Sequence, residues 1–580
     1  MGFPPPLTCR AASARNPSPA STGGKASVGL WFAAGRRLVY IGRNRINRPV
    51  YIGRNKINRL VYIGRNKIKG AAEAMSDNLY ELFRARFPAD RSLCFIETPD
   101  GQAYGYDELE AASGRMARLL AERGVRKGDR VAVQVEKSPQ AIFLYLACMR
   151  AGAVYLPLNT AYQSAELAYF LGDAEPRVVV CQAEREAELG GLARQAGVAA
   201  VLTLDAAGQG SLTARSDGLD PDVGCVPAER DDLAAILYTS GTTGRSKGAM
   251  MSHGNLGSNA LTLHRVWGFR PDDVLLHALP IFHTHGLFIA TNCVLLNGSG
   301  MLFLPRFEAA GVMRLLPRAT VMMGVPTFYT RLLAQPDFGP ELCGGMRLFI
   351  SGSAPLLAET FEAFRARTGH AILERYGLTE TGMDTSNPLH GERIAGTVGP
   401  PLPGVEVRVA DDEGRVLGPG ETGVIEVRGP NVFQGYWRQP DKTKAEFRAD
   451  GFFITGDMGK FDDKGYVHIV GRAKDLIISG GFNVYPKEVE QVLDAIEGVG
   501  ESAVIGITHP DFGEAVTAVL TRKPGGDALS EDAVIARVKR ELANYKVPKR
   551  VIFVDDLPRN AMGKVQKNVL RETYRDSYRA

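Results

Sequence analysis

The sequence predicts an α/β protein: a large N-terminal domain of layered α/β subdomains plus a small β subdomain, then a small α+β C-terminal domain. Three observations predict it. Apolar strand-like runs alternate with amphipathic helical ones from about residue 105 to 240. From about Gly396 short strand patterns sit between Gly- and Pro-rich turns. After Gly471-Arg472-Ala473-Lys474-Asp475 the texture changes again, which sets a boundary near Lys474.

Taken in order, Tyr106–Arg123 carries a helical apolar stripe and Arg130–Val135 reads as a strand. Ser138–Gly152 is helical, Val154–Leu158 extended, Ser164–Gly172 helical, and Val178–Cys181 a short buried strand. Such β/α alternation predicts a largely parallel sheet. Leu348-Phe349-Ile350 running into Ser351-Gly352-Ser353 repeats the strand-into-loop arrangement. Val405–Val409, Gly423–Val427 and Tyr466–Ile469 read as the strands of the β subdomain. Beyond the boundary, Pro486–Leu493 and Glu531–Leu542 are helical, while Glu501–Gly506, Ala515–Arg522 and Arg550–Val554 are strands.

The chain of 580 residues has 45% hydrophobic and 23% charged content, which excludes collagen-like, disulfide-scaffold and mostly disordered classes. Its formal charge of +5 is unevenly spread. Residues 1–74 hold 14 Lys/Arg against one acid, Glu73; the remainder holds 55 against 63, a balance of −8. An acidic body argues against a nucleic-acid-binding function, which needs clustered positive charge. No apolar run reaches the roughly 20 residues of a membrane span. The seven cysteines are scattered and never form a CxxC pair, which fits a reducing compartment, the cytoplasm.

Val39–Arg48, Val50–Arg59 and Val61–Lys69 form a tandem repeat of period 11, too short a unit for a solenoid. Residues 1–74 are read as a basic, repeat-bearing extension outside the folded protein, with Met75 the effective start. A transit peptide, and hence the mitochondrial matrix, is the alternative, and a basic arm the third. Ser76-Asp77-Asn78 supplies capping residues, followed by Leu79, Leu82, Phe83 and Phe87 at helical spacing.

The strongest chemical signal is Tyr238-Thr239-Ser240-Gly241-Thr242-Thr243-Gly244-Arg245-Ser246-Lys247-Gly248, directly after the apolar strand Leu233–Leu237. Gly241 and Gly244 permit backbone angles closed to other residues, so the hydroxyls of Thr239, Ser240, Thr242 and Thr243 and successive N–H groups can wrap a polyphosphate. Lys247 adds positive charge. The spacing is not GxxxxGK[ST], which excludes a P-loop NTPase. Glu374-Arg375-Tyr376-Gly377-Leu378-Thr379-Glu380 places an aromatic ring, a hydroxyl and a carboxylate together, suited to a base, an α-phosphate and Mg²⁺. Asp457 offers a carboxylate to a ribose diol, Arg472 a second ribose contact, and Lys564 ends a Gly-containing loop.

Together these stretches resemble the acyl-adenylate-forming superfamily, over about residues 76–578 and in the family order. Within it His277–Leu287, Gly324–Leu333, Met346–Leu357 and Val551–Lys567 are similar to malonate–CoA ligases. The resemblance implies a two-step ligase for malonate, ATP and coenzyme A, with Mg²⁺ held at Glu380. Methylmalonate or another short acid is the alternative substrate. It implies an AMP-binding adenylation domain at 75–473 and a mobile domain at 474–580. Implied for ATP or AMP are the phosphate loop with Lys247, Ser353, Ala354, Glu374, Tyr376, Gly377, Thr379, Asp457 and Arg472. Implied for catalysis are Lys564, Thr379, Glu380 and His283, with Lys474 the hinge (Asp475 beside it an equal candidate) and Ser479, Gly480 and Gly481 a CoA tunnel. His283 is placed at the acyl pocket, whereas His285 is expected to be a packed histidine.

Many superfamily members that take apolar acids have glycine where this chain has Arg375. A guanidinium is poorly compatible with an apolar tail and well suited to a second carboxylate, which it binds bidentately. Pairing of Arg375 with Glu374 is the competing expectation. Ser353 and Arg306 are weaker candidates for the same pocket.

Overall fold

The computed structural model describes residues 30–33, 36–39, 77–239, 246–479, 482–509, 512–524, 529–560 and 563–578. The chain divides into two compact units, Met1–Met75 and Ser76–Ala580. In the first, Leu30–Ala33 pairs antiparallel with Arg36–Val39. Most of the repeat lies outside the described residues.

The α/β alternation of residues 105–240 forms one largely parallel sheet, as expected, and a second sheet gathers strands from before and after it. The first runs in the order Lys247–Ser252, Leu233–Thr239, Val154–Pro157, Arg130–Gln134, Val178–Cys181, Ala200–Thr203, parallel except at the Lys247–Ser252 edge. The second has eight strands: Thr385–Ser386, Leu373–Tyr376, Leu348–Ser351, Val321–Gly324, Val274–His277, Gly300–Phe303, Cys94–Glu97 and Ala103–Gly105. Its centre is parallel and both edges are antiparallel. Of the second sheet only Leu348-Phe349-Ile350 reads as a strand from the sequence, and its pairings join segments far apart along the chain. Helices Tyr106–Glu122 and Pro139–Arg150 fill the space against the sheets; Pro139–Arg150 is buried on nearly every side, which its almost unbroken apolar sequence requires.

Glu406–Ala410, Gly423–Arg428, Phe453–Phe461 and Val467–Arg472 form an antiparallel four-stranded sheet. The longest of these, Phe453–Phe461, was seen in the sequence only as a motif. Its Thr-Gly-Asp stretch interrupts the alternation that marks a strand. The last sheet carries Val499–His509 against Gly513–Arg522, with Arg550–Phe553 added in parallel and a hairpin, Ile477–Ser479 with Phe482–Val484, on the edge.

Asn78 shows how the body is closed at its start. Its side chain accepts from Tyr80 N at 2.9 Å, capping helix Leu79–Arg84, and donates to the carbonyls of Met149 (2.8 Å) and Val226 (3.0 Å). It is fully buried. Asn78→Ala removes a cap worth about 1 kcal/mol and leaves two buried carbonyls without this donor. A loss of about 2–3 kcal/mol, seen as a thermal midpoint several degrees lower with unchanged KM values, is the expected outcome. An unshifted midpoint would refute it.

Candidate active site

The site lies at the carboxyl ends of neighbouring parallel strands, where an open α/β sheet leaves a crevice. Strands ending at His277, Gly324, Ser351 and Tyr376 lie side by side in one sheet, and each hands on to a loop that carries site residues. In the other sheet Thr239 and Lys247 are directly paired, so the two feet of the phosphate-loop candidate are held together. Ser240, Gly241, Thr242, Thr243 and Gly244 themselves lie outside the described residues, as do Gly480 and Gly481.

Arg375 sits in strand Leu373–Tyr376 and is only 3% exposed. Its Nε and Nη2 are buried without a hydrogen-bond partner. Successive strand residues face opposite sides, and Glu374 accordingly turns away, accepting from Leu356 N at 2.9 Å. Burial pushes the Glu374 carboxyl up to about 8, well above the ordinary carboxylate range. The expected alternative, an Arg375–Glu374 pair, does not form. Gly352 makes room for the guanidinium, since a Cβ there would collide with it. Arg306 is the other correction: its side chain is 82% exposed and paired with Glu308 at 2.8 Å. A charge free to reach a surface partner stays in water rather than pay desolvation.

Around Arg375 the polar groups are neutral. Burial first, then the nearby guanidinium, lowers His283 to about 4. The same two causes hold His285 well below its usual range. His285 Nδ1 lies 3.2 Å from Ser353 Oγ, while its Nε2 is buried and unpartnered. It is packed, as expected, with that nitrogen buried and without a partner. Ser353 has φ of 70°, a left-handed conformation that non-glycine residues take up at a cost of about 1–3 kcal/mol, typically at functional sites. Ala354 follows it, partly exposed.

On the nucleotide side, Tyr376 donates to Asp457 at 2.6 Å, and Asp457 pairs with Arg472 at 2.6 Å. Asp457 is 4% exposed, so this is no surface pair. The two residues face each other across adjacent strands. Gly377 is required because a Cβ would strike the Gly382 carbonyl. Glu380 meets Thr239 Oγ1 at 3.5 Å and Tyr436 at 3.1 Å, and burial raises its pKa. Thr379 lies beside it, half-buried. Tyr436 also donates to Glu446 (2.6 Å), which pairs with Lys247 (3.0 Å), and the Lys247 ammonium stands 4.1 Å over the Tyr436 ring. Tyr436 and Glu446 were missed in the sequence. No motif marks them, and they reach the site through the fold.

Lys564, from the C-terminal domain, comes to the same place. It is open to solvent, yet cleft walls, then Arg472, push its ammonium down to about 8. Its loop rests on the large domain: Gly563 and Asn560 face Thr327 and Arg331 across a cavity of about 180 Å³. Lys523 pairs with Glu359 across the same interface at 2.7 Å. Lys474 lies in the short turn Ala473–Asp475, and Asp475 is held by Arg571. On the hairpin that bears Ser479, Ile478 and Phe482 are 54% and 57% exposed, while Ser479 itself is buried.

The sequence matches the AMP-binding enzyme family over residues 81–437 and the AMP-binding enzyme C-terminal domain over 488–564. The chain belongs to the AMP-binding enzymes. Among relatives of this family member, a malonate–CoA ligase of Arabidopsis thaliana is 34% identical, across 86% of this chain and 90% of its own. A feruloyl-CoA synthase of an Amycolatopsis species is 37% identical, across 82% and 94%. The crystal structure of ATP-bound MatB from Rhodopseudomonas palustris is 58% identical, with a TM-score of 0.85 over 87% of this chain and all of that one; apo MatB gives 0.76. Among the described residues no helix is long and apolar enough to cross a membrane.

The donor set fits Mg²⁺. No group of three or more His, Cys, Asp or Glu among the described residues could hold a metal by itself. Glu380 and the Thr239 hydroxyl are hard oxygen donors of the kind that share Mg²⁺ with substrate phosphates.

The position of Lys564 in this AMP-binding enzyme is directly testable. An amine lowered toward 8 is partly uncharged at pH 8 and nucleophilic, so Lys564 is expected to label faster with an amine reagent than exposed lysines. Arg472→Leu removes a repelling charge and frees Asp457, raising the pKa and slowing that labelling. Mass spectrometry of labelled peptides reads both; identical labelling in wild type and variant would refute the arrangement.

Proposed function

We propose that this enzyme joins malonate to coenzyme A, using ATP and passing through malonyl-AMP, with AMP and pyrophosphate released. The observation that carries it is Arg375: a buried guanidinium with two unpaired nitrogens in the acyl site of an AMP-binding enzyme. An uncompensated buried charge costs several kcal/mol, and a short dianionic acid supplies the missing partner. Ser353 and His283, the latter neutral, complete the pocket for that distal carboxylate. Relatives of about equal identity act, by their names, on malonate and on a feruloyl group, so the site must discriminate between them.

In the first step a carboxylate oxygen attacks the α-phosphorus and the bond to the pyrophosphate oxygen breaks. Asp457 and Arg472 hold the ribose, Tyr376 with the Gly377 turn faces the base, and Thr379 touches the α-phosphate. Glu374 and Ala354 complete this wall. The loop Thr239–Gly244 and Lys247 embrace the outgoing phosphates, for which Lys247 must leave Glu446. Lys564 answers the charge growing on the reacting oxygens. Mg²⁺ held by Glu380 would neutralise phosphate charge. The domain orientation seen here, with Lys564 beside Arg472, suits this adenylating step.

In the second step the domain from about residue 474 turns about Lys474, breaking the Lys523–Glu359 pair and withdrawing Lys564. Ser479, Gly480 and Gly481 then border the path of the thiol, which displaces AMP. Residues 75–473 form the adenylation domain. Free cysteines throughout the described residues suit a reducing compartment such as the cytoplasm.

A panel of carboxylates scored by pyrophosphate release, with and without coenzyme A, tests the reading. Malonate-dependent release followed by CoA consumption is expected; activity confined to longer monocarboxylates would overturn it. Arg375→Gly should lower kcat/KM for malonate by about two orders of magnitude, as loss of one partner of a buried charge pair does, with the KM for ATP nearly unchanged. Unaltered malonate kinetics would remove Arg375 from the pocket. Lys564→Ala should nearly abolish adenylation yet keep thioester formation from supplied malonyl-AMP, and equal loss of both steps would contradict the domain rotation.

A further inference from the structure

One buried lysine has no place in the chemistry above. Lys137 lies between strand Arg130–Gln134 and helix Pro139–Arg150, and it is a charged residue type buried without an ion pair. Its Nζ donates to the ring Nδ1 of His277 at 2.9 Å and to the His277 carbonyl at 2.8 Å. The Phe303 ring lies 4.2 Å below the same nitrogen. Lys137 comes from the first sheet, whereas His277 ends a strand of the second, so the contact ties the two layers together.

The chain of bonds continues. His277 Nε2 lies 2.9 Å from the Gly286 carbonyl, which also accepts from Thr291 Oγ1 at 3.0 Å. With Nδ1 accepting from Lys137, His277 must carry its proton on Nε2 and donate it to Gly286. Burial lowers both Lys137 and His277 well below their ordinary pKa values, in keeping with neutral partners. Between His277 and Gly286 runs the turn that holds His283 and His285. It closes tightly, since a Cβ on Gly286 would meet the Pro280 carbonyl. Directly after it comes a π-helical segment, His285–Thr291, a wide and rare helix form frequent at functional sites.

We propose that Lys137 and His277 are positioning residues for the acyl pocket. The chain Lys137–His277–Gly286 fixes the turn that presents His283 and His285 to Arg375, and so sets affinity for the short dianionic acid. The proposal rests on the malonate reading above. Neither side chain touches substrate. A hydrophobic lysine isostere at 137 would fill the same volume, so what the amine adds is direction: it selects one tautomer and thereby one orientation of the His277 ring.

Lys137→Met in the full-length chain tests this. The KM for malonate is expected to rise about tenfold, since small misplacements of a binding group carry such factors, while the KM for ATP stays within about twofold and kcat at saturating malonate changes little. His277→Gln breaks the same chain, so the double variant should fall close to the worse single one rather than multiply the two losses. An unchanged malonate KM, equal rises for malonate and ATP, or multiplicative losses would each overturn the proposal. Nitrogen-15 histidine spectra of the wild-type enzyme give a reading that no folding failure can spoil. His277 is expected as the neutral Nε2–H tautomer, with shifts that move on adding malonate. An imidazolium, the Nδ1–H tautomer, or shifts indifferent to malonate in an enzyme that turns malonate over would refute it. A wild-type enzyme that ignores malonate refutes the substrate reading instead, and the same KM split is then read with the acid the enzyme uses.

Discussion

An uncompensated positive charge organises the pocket proposed here for the acyl group. Arg375 is held in a strand, nearly out of reach of water, and its guanidinium keeps two nitrogens without partners. Everything packed near it must tolerate that charge. Glu374 turns to the other face, its carboxyl pushed up by burial, and does not pair with its neighbour. His283 and His285 are kept uncharged by burial and by the guanidinium itself. Gly352 yields the volume that a side chain would occupy. A pocket built this way is poor for an apolar tail and favourable for a second carboxylate, because the ligand completes an ion pair whose protein half is already desolvated.

The nucleotide end follows the opposite rule. There the charges are paired before any ligand arrives: Asp457 with Arg472 and Tyr376, Lys247 with Glu446, and Glu446 in turn with Tyr436. A triphosphate brings its own charge and metal, so the protein must exchange partners rather than supply a single missing one. Lys564 joins this group from the C-terminal domain, where Arg472 and Lys474 lower its pKa and Asp457 and Asp475 raise it. A lysine so placed fits the role proposed for it, present for one half-reaction and withdrawn for the next.

Much of this was legible in the sequence, and the limits are physical. The strands and helices of the α/β body carry regular period-2 and 3.6 patterns, and the observed ends of Tyr106–Glu122 and Val178–Cys181 match those patterns closely. Glycine-containing motifs revealed Gly377 and Asp457 because close backbone approach leaves a mark on composition. Two things left none. The second sheet pairs strands as far apart as Cys94–Glu97 and Gly300–Phe303, and local pattern did not announce it. Polar residues whose role depends on a neighbour far along the chain, such as Tyr436 and Glu446, look ordinary where they stand. Arg306 failed for the converse reason: a basic residue near the pocket in sequence had an acid, Glu308, two positions away and remained in solvent.

Lys137 combines both kinds of silence. It stands between a glutamate and a helix-capping serine, where a lysine is unremarkable, and its partner is 140 residues further on. Desolvating an amine without a carboxylate is unfavourable, and stability alone would be served as well by a residue of the same length and no charge. The geometry uses its donors for something an apolar side chain cannot do. Two N–H bonds to one histidine set both the position of its backbone and the orientation of its ring, and the ring's remaining N–H reaches the carbonyl that closes the His283–His285 turn. Arg375 and the turn that faces it are therefore held from different layers of the fold, and the acyl pocket proposed here depends on those layers keeping their register.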